Sequence, residues 1–225
     1  MNEQWKDAEK YLEQIKIAAN SNNDPVTIRG YFDQLKCIGI GTDAAVFQFV
    51  NLPDYAFKIY AAGKEYKIEQ EAKIYHMIGE SQFFSTCFGQ SKHFLVLKYE
   101  KGITLYDCIL RGIKIPEQVI QDVDCARDHA RNCGLNPRDI HLKNILLQNG
   151  RAKIIDVSEY LATGNDYRWE HLKKAYVNYY HLIEGKSVPH FFVETIRKWY
   201  YHQNVTQENI DDFIQTISKL IKFWQ

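Results

Sequence analysis

Pro137-Arg138-Asp139-Ile140-His141-Leu142-Lys143-Asn144 runs into Ile145–Gln148, then Asn149-Gly150, Arg151–Ile154 and Asp156-Val157-Ser158. Asn-Gly between two short apolar runs signals a two-residue hairpin turn. Pairing about that turn sets 148 against 151, 146 against 153 and 144 against 155. Asp139 and Asn144 are thereby brought towards Asp156 at the open end of a rigid two-stranded element. Asn144 and Asp156 are hard oxygen ligands suited to Mg²⁺ held on phosphates. Asp139 can accept a hydroxyl proton, and His141 can sit on a transferring phosphoryl group. Turn and capping duties account for polar residues near a turn, but not for this whole spacing.

Upstream, Gly39-Ile40-Gly41-Thr42-Asp43-Ala44 is a G-x-G-x-x-A stretch. Glycines let backbone amides approach phosphate oxygens. A dinucleotide fingerprint needs a helix straight after the glycines, whereas Ala45–Val50 reads as a strand. The stretch is therefore a glycine loop between two strands, or an ordinary hairpin turn. In Tyr55-Ala56-Phe57-Lys58, Ala56 and Lys58 point to one face of a strand. They suit an adenine ring and its phosphates, or else Lys58 is a surface lysine. Glu71 falls on the apolar stripe of a helix over 64–78, with Ile68, Tyr75 and Ile78. A buried carboxylate calls for a partner. Lys58 is the natural one, with Glu65 the competing carboxylate, unless Glu71 reaches water at the edge of the stripe.

Around these blocks, residues 2–20 place Trp5, Ala8, Leu12, Ile15 and Ala19 at helical spacing, stopped by Asn, Asp and Pro at 22–25. Short runs at Val26–Ile28, Leu35–Ile38, Ala45–Val50, Tyr55–Tyr60 and Phe94–Lys98 read as antiparallel strands. Pro116 opens a helix that Gly134 closes. Three more helices carry Trp169, Leu172, Tyr176, Tyr179 and Ile183, then Phe192, Val193, Ile196, Trp199 and Tyr200, then Ile210 to Trp224. The expected division is an N-terminal helix over 1–25, a strand-rich unit over 26–98 and a helical unit over 99–225.

The 225 residues suffice for a core without disulfides or metal. Charged residues make up 25% and hydrophobic ones 45%, which excludes a disordered chain. Lys+Arg and Asp+Glu are 28 each, so the balance argues against a nucleic-acid or membrane-surface partner while leaving room for a local basic groove. Five cysteines, an odd number without C-x-x-C, fit a reducing cytosol rather than a disulfide framework. The start lacks a signal pattern and no apolar run nears ~20 residues, so the expected location is cytoplasmic.

The order of the blocks resembles the protein-kinase-like superfamily: the glycine loop ending in Val46, the Ala-x-Lys strand, the D-x-x-x-x-N loop at 139–144, and Asp156 after the hairpin. The resemblance covers about residues 30–160. It implies an α+β, bilobal fold with an antiparallel β N-lobe bearing one helix C, and a mostly helical C-lobe, joined by a hinge near Tyr99–Gly102. It implies ATP and Mg²⁺ as cofactors. The backbone of Gly39, Gly41 and Ala44 would cover the phosphates, and Val46, Ala56 and Leu146 would sandwich the adenine. Leu97 would be the gatekeeper, and the backbone of Lys98 and Glu100 would meet the purine edge. Lys58, fixed by Glu71, would hold the α- and β-phosphates. Asp139 would be the catalytic aspartate, His141 would stand where a lysine is usual, and Asn144 and Asp156 would hold Mg²⁺.

The pattern also departs from the family. Pro137 replaces the histidine of H-R-D, so the backbone there must be braced differently. The D-x-H-x-x-N form resembles aminoglycoside and choline kinases, and the charge of His141 would depend on pH near neutrality. Val157 and Ser158 replace the last two residues of D-F-G, and the short stretch after Asp156 leaves no room for a long activation segment. The chain looks like the small bacterial serine/threonine-kinase-like proteins. The expected activity is γ-phosphate transfer to a protein Ser/Thr hydroxyl, including its own. The alternatives are a small-molecule alcohol kinase and a nucleotide-binding pseudokinase.

Overall fold

The computed structural model describes residues 4–21, 24–30, 33–202, 205–206 and 208–224. The chain divides into two compact units between Lys101 and Gly102.

The first unit begins with a 3-10 turn, Gln4–Ala8, and one turn of α-helix, α1 (Glu9–Leu12). The single helix expected over 2–20 is corrected here: the chain turns and enters β1 (Lys16–Ala18), paired antiparallel with β2 (Thr27–Arg29). Ile15 and Ile17 are β-branched, and Ile17 alone of β1 is buried, so the period switches to two after Leu12. The segment is not a separate appendage either. Trp5, Leu12, Ile15 and Ile17 share one core with Phe47, Phe49, Phe57 and Phe94 of the main sheet. Residues 2, 3, 22 and 23 of that expectation lie outside the described residues.

The main sheet is antiparallel, in the order β3 (Leu35–Ile40), β4 (Ala44–Phe49), β5 (Leu52–Tyr60), β7 (Phe94–Lys98) and β6 (Cys87–Gln90), with α2 (Tyr66–Ile78) between β5 and β6 in sequence. β6 went unread in the sequence, since Gly89 breaks its pattern. Gly89 sits under the Trp5 indole, where an added Cβ would lie 3.1 Å from Cζ2. Gly89→Val is therefore expected to push the N-terminal segment off the sheet edge and cost about 1–3 kcal/mol, the usual range for overpacking. A urea titration followed by circular dichroism checks it.

The second unit starts with β8 (Ile103–Thr104) and α3 (Leu105–Arg111). Thr104 caps α3 by accepting the Asp107 N–H at 3.0 Å. Gly112 then turns the chain at φ 67°, and a Cβ there would meet Ser187 N at 2.8 Å. α4 (Glu117–Asn132) follows Pro116 and ends before Gly134 at φ 78°. β9 (Ile145–Gln148) and β10 (Arg151–Ile154) pair with 148 against 151 and 146 against 153. Asn149 and Gly150 both take positive φ, 50° and 79°, as this tight turn requires. β8 adds a third strand beside β9. Asp122 of α4 anchors the hairpin, accepting Arg151 Nε and Nη2 at 2.7 Å each and the Ala152 N–H at 2.9 Å.

α5 (Arg168–Tyr179), a 3-10 turn Tyr180–Leu182, α6 (His190–His202) and α7 (Ile210–Trp224) finish the unit. Ile183 thus lies beyond the helix it was assigned to. Ile210, Phe213 and Ile214 pack with Tyr179, Ile196, Trp199 and Tyr200. The side chains of Ile221 and Trp224 lie outside the described residues. No helix among the described residues is long and apolar enough to cross a membrane. This antiparallel β unit with one long helix, followed by a mostly helical unit, is a bilobal α+β architecture.

Candidate active site

In the first unit, Lys58 lies opposite Val46 on β4 and Leu95 on β7, and Ala56 lies opposite Leu97. Directly paired residues share a sheet face. Val46, Ala56, Lys58 and Leu97 therefore form one patch, in which Ala56, Lys58 and Leu97 are buried. Lys58 Nζ lies 2.9 Å from Glu71 Oε2 and 3.1 Å from Oε1. The Tyr60 hydroxyl donates to Glu71 Oε2, and Lys58 Nζ also stands 5.2 Å from the Tyr60 ring. Glu71 is fully buried and Lys58 5% exposed, so the pair is taken out of water. Tyr60 was not foreseen. A Tyr two places after the lysine, on the same strand face, was the available signal.

The glycine stretch is a tight β3–β4 hairpin closed by Gly41 N–H donating to Ala44 O at 2.8 Å. Gly39 lies opposite Val46. Neither Gly39 nor Gly41 has a left-handed φ, so backbone strain does not demand glycine there. At the tip, the Asp43 carboxylate pairs with Lys67 of α2 at 2.7 Å and with Lys64 at 3.8 Å. The Lys98 N–H donates to Thr86 O at 2.8 Å, and its carbonyl accepts the Ser85 hydroxyl at 3.1 Å. The purine-edge role implied for the Lys98 backbone is thus narrowed to the second lone pair of that carbonyl. Glu100 follows on the short stretch after β7.

In the second unit, Asp139 precedes the hairpin with φ 56°, a conformation rare outside glycine but accessible to Asp and Asn. The brace that Pro137 calls for comes from the segment 162–168. Asn136 Nδ2 donates to Ala162 O (2.7 Å) and Gly164 O (2.6 Å), and Arg138 donates to Thr163 O. The Asp139 N–H donates to Asp166 Oδ2 at 2.7 Å, and Arg168 Nη1 donates to Asp139 Oδ1. Asp166 and Arg168 were missed as site residues. They act across 27 and 29 positions, a separation that leaves no periodic mark.

Asn144 donates through Nδ2 to Asp139 O at 3.1 Å, which fixes its amide so that Oδ1 is the ligand-type atom. Its backbone carbonyl accepts the Ile155 N–H at 3.1 Å, next to Asp156. Asp156 Oδ1 accepts the Ser158 N–H at 3.0 Å. Leu146 is buried on β9, opposite Lys153 and Thr104.

Burial pushes the Asp139 carboxyl up to about 6; Arg168 opposes this, and the Asp156, Asp166 and Glu159 charges add to it. A carboxylate with that value is suited to taking a proton near neutrality. Burial pushes His141 down to about 4, and Arg168 works in the same direction. His141 is therefore neutral at physiological pH, which corrects the expectation that it titrates there. Its Nδ1 accepts the Lys143 N–H at 3.2 Å, and its Nε2 stays 3.9 Å from Asp139 Oδ1.

No group of three or more His, Cys, Asp or Glu among the described residues is placed to hold a metal ion. Asn144 and Asp156 offer oxygen donors, the ligand type that Mg²⁺ takes together with phosphate and water.

The chain is 33% identical over 192 residues to the Bacillus subtilis (strain 168) protein named "Putative serine/threonine-protein kinase YrzF", covering 84% of this chain and 88% of that protein. It belongs to the protein-kinase-like superfamily. Among solved structures, a mutant of the Mycobacterium tuberculosis PknI kinase domain aligns with a TM-score of 0.44 at 15% identity, over 60% of this chain and 63% of that one. No family model matches the chain.

Proposed function

We propose that the protein is a cytoplasmic, Mg-ATP-dependent phosphotransferase that moves the γ-phosphate to a protein serine or threonine hydroxyl, its own included. The observation that carries this reading is the set Asp139, Asn144 and Asp156 gathered at the open end of the β9–β10 hairpin, with Asp139 raised towards neutrality. Bound Mg-ATP would supply the electrophilic phosphoryl group and neutralise its oxygens. Lys58, held by Glu71 and Tyr60, would bind phosphate oxygens. Asn144 and Asp156 would hold the metal, and Asp139 would orient the acceptor hydroxyl and take its proton.

A small-molecule alcohol is the second reading. It is favoured by the start of α5 at Arg168, only twelve positions (168 − 156) after Asp156, which leaves little chain for a peptide platform.

The test is thermal unfolding with Mg-ATP, with ATP plus EDTA, and with Asp156→Ala. At 100 times its dissociation constant a ligand adds about 2.7 kcal/mol. For a chain of this size that is roughly 5–10 °C. A rise that needs both Mg²⁺ and Asp156 supports the reading, and no rise with any nucleotide refutes it. Label from γ-labelled ATP on the protein itself, against label on added polyols or amino alcohols, then separates the two acceptors.

A further inference from the structure

Arg168 is the cation that touches Asp139, and the reading above gives it no task. Its Nη1 donates to Asp139 Oδ1, its Nε lies 3.7 Å from Asp166 Oδ2, and its guanidinium carbon stands 5.5 Å from the Tyr201 ring. The side chain is 30% exposed, and no described residue accepts a hydrogen bond from Nη2. Three fixed groups thus aim a permanent, planar cation at the edge of the site with one donor pair still to place.

The other basic side chains near Asp139 in this unit are turned elsewhere, and Arg138 donates to Thr163 O. Lys143 Nζ faces the Tyr106 ring at 4.4 Å and Glu194 at 3.8 Å. His141 gives Nδ1 to a backbone N–H and keeps Nε2 beyond hydrogen-bond reach of Asp139. Both the Arg168 and the His141 contacts fall on Oδ1, so Oδ2 remains for the acceptor. A cation beside the proton-accepting carboxylate is where a phosphoryl group in transfer carries its negative charge.

We propose that Arg168 is the phosphoryl-binding cation of this site, contacting the γ-phosphate through Nη2 while Nη1 holds Asp139. The proposal rests on the phosphotransferase reading. Arg168 exchanges no proton in the step. Asp139 takes the acceptor's proton as the acceptor oxygen bonds to phosphorus and the bond to the ADP oxygen breaks.

The experiment compares binding of AMPPNP·Mg and ADP·Mg by calorimetry in wild type, Arg168→Gln and Arg168→Lys. Arg168→Gln should weaken AMPPNP about ten-fold or more, the scale of a charge-assisted hydrogen bond, and leave ADP within about two-fold. Arg168→Lys should regain part of the difference, because charge alone still reaches the phosphate. If Arg168→Gln binds both nucleotides as wild type does, or loses both equally, Arg168 is only a brace and the proposal falls. If Arg168→Gln does not fold, Arg168→Lys decides: AMPPNP weakened more than ADP supports the proposal, and both nucleotides bound as by wild type or weakened equally overturn it. Wild type binding neither nucleotide sinks the phosphotransferase reading as well, an outcome distinct from a wild type that binds both and a variant that is indifferent.

Discussion

Asp139→Asn is expected to lower phosphate transfer by roughly 100- to 10,000-fold, the range for loss of a positioned general base. Asn is the informative choice. Asp139 holds φ 56°, which Asn tolerates and Ala does not, so the substitution keeps the backbone and its N–H bond to Asp166 Oδ2 at 2.7 Å. What it removes is the charge that Arg168 pairs with and the oxygen that would take the proton. The fall should appear in kcat, with nucleotide affinity nearly unchanged and the circular dichroism spectrum intact. Transfer at the wild-type rate would strip Asp139 of its assigned part, whatever the nucleotide does.

The second large effect is on stability. Glu71→Ala leaves the Lys58 ammonium and the Tyr60 hydroxyl buried without their shared carboxylate. Losing one partner of a buried pair costs about 3–5 kcal/mol. At roughly 2–4 °C per kcal/mol for a chain of this size, the melting midpoint should drop on the order of 10 °C. The control is the triple variant Lys58→Met, Tyr60→Phe, Glu71→Leu, which takes out all three polar groups at once. It should recover most of the loss, because an apolar replacement of a buried pair is often neutral. A triple variant no better than Glu71→Ala would mean that the cost lies in packing of α2 against the sheet, not in the lost carboxylate.

The sequence showed most where the signal is local or periodic. Asn149-Gly150 announced the hairpin and its register, and the alternation through Ala56 and Lys58 placed both on one strand face. The stripe Ile68, Glu71, Tyr75, Ile78 marked a carboxylate that had to be buried, and the structure sets it against Lys58. The failures have a common cause. Trp5, Ala8, Leu12 and Ile15 satisfy a helical period, yet the same residues also bury against the sheet, and only the partner strand β2 decides where helix gives way to β1. β8 has two residues and exists by leaning on β9. Asp166 and Arg168 sit in an unremarkable polar stretch, and their role is set by where the chain returns in space.

That return also dictates an order of assembly. The bond from the Asp139 N–H to Asp166 closes a loop of 27 residues. The β9–β10 turn lies inside that loop and can form on its own in microseconds, whereas the wider closure has to wait until α5 has begun. The 136–144 segment is therefore expected to set last within its unit and to open first, before the hairpin it precedes. Amide exchange at Asp139 should then be faster than at Leu146 or Lys153, a hydrogen-bonded pair of the hairpin, and gentle heating should silence the site while the secondary structure around it persists.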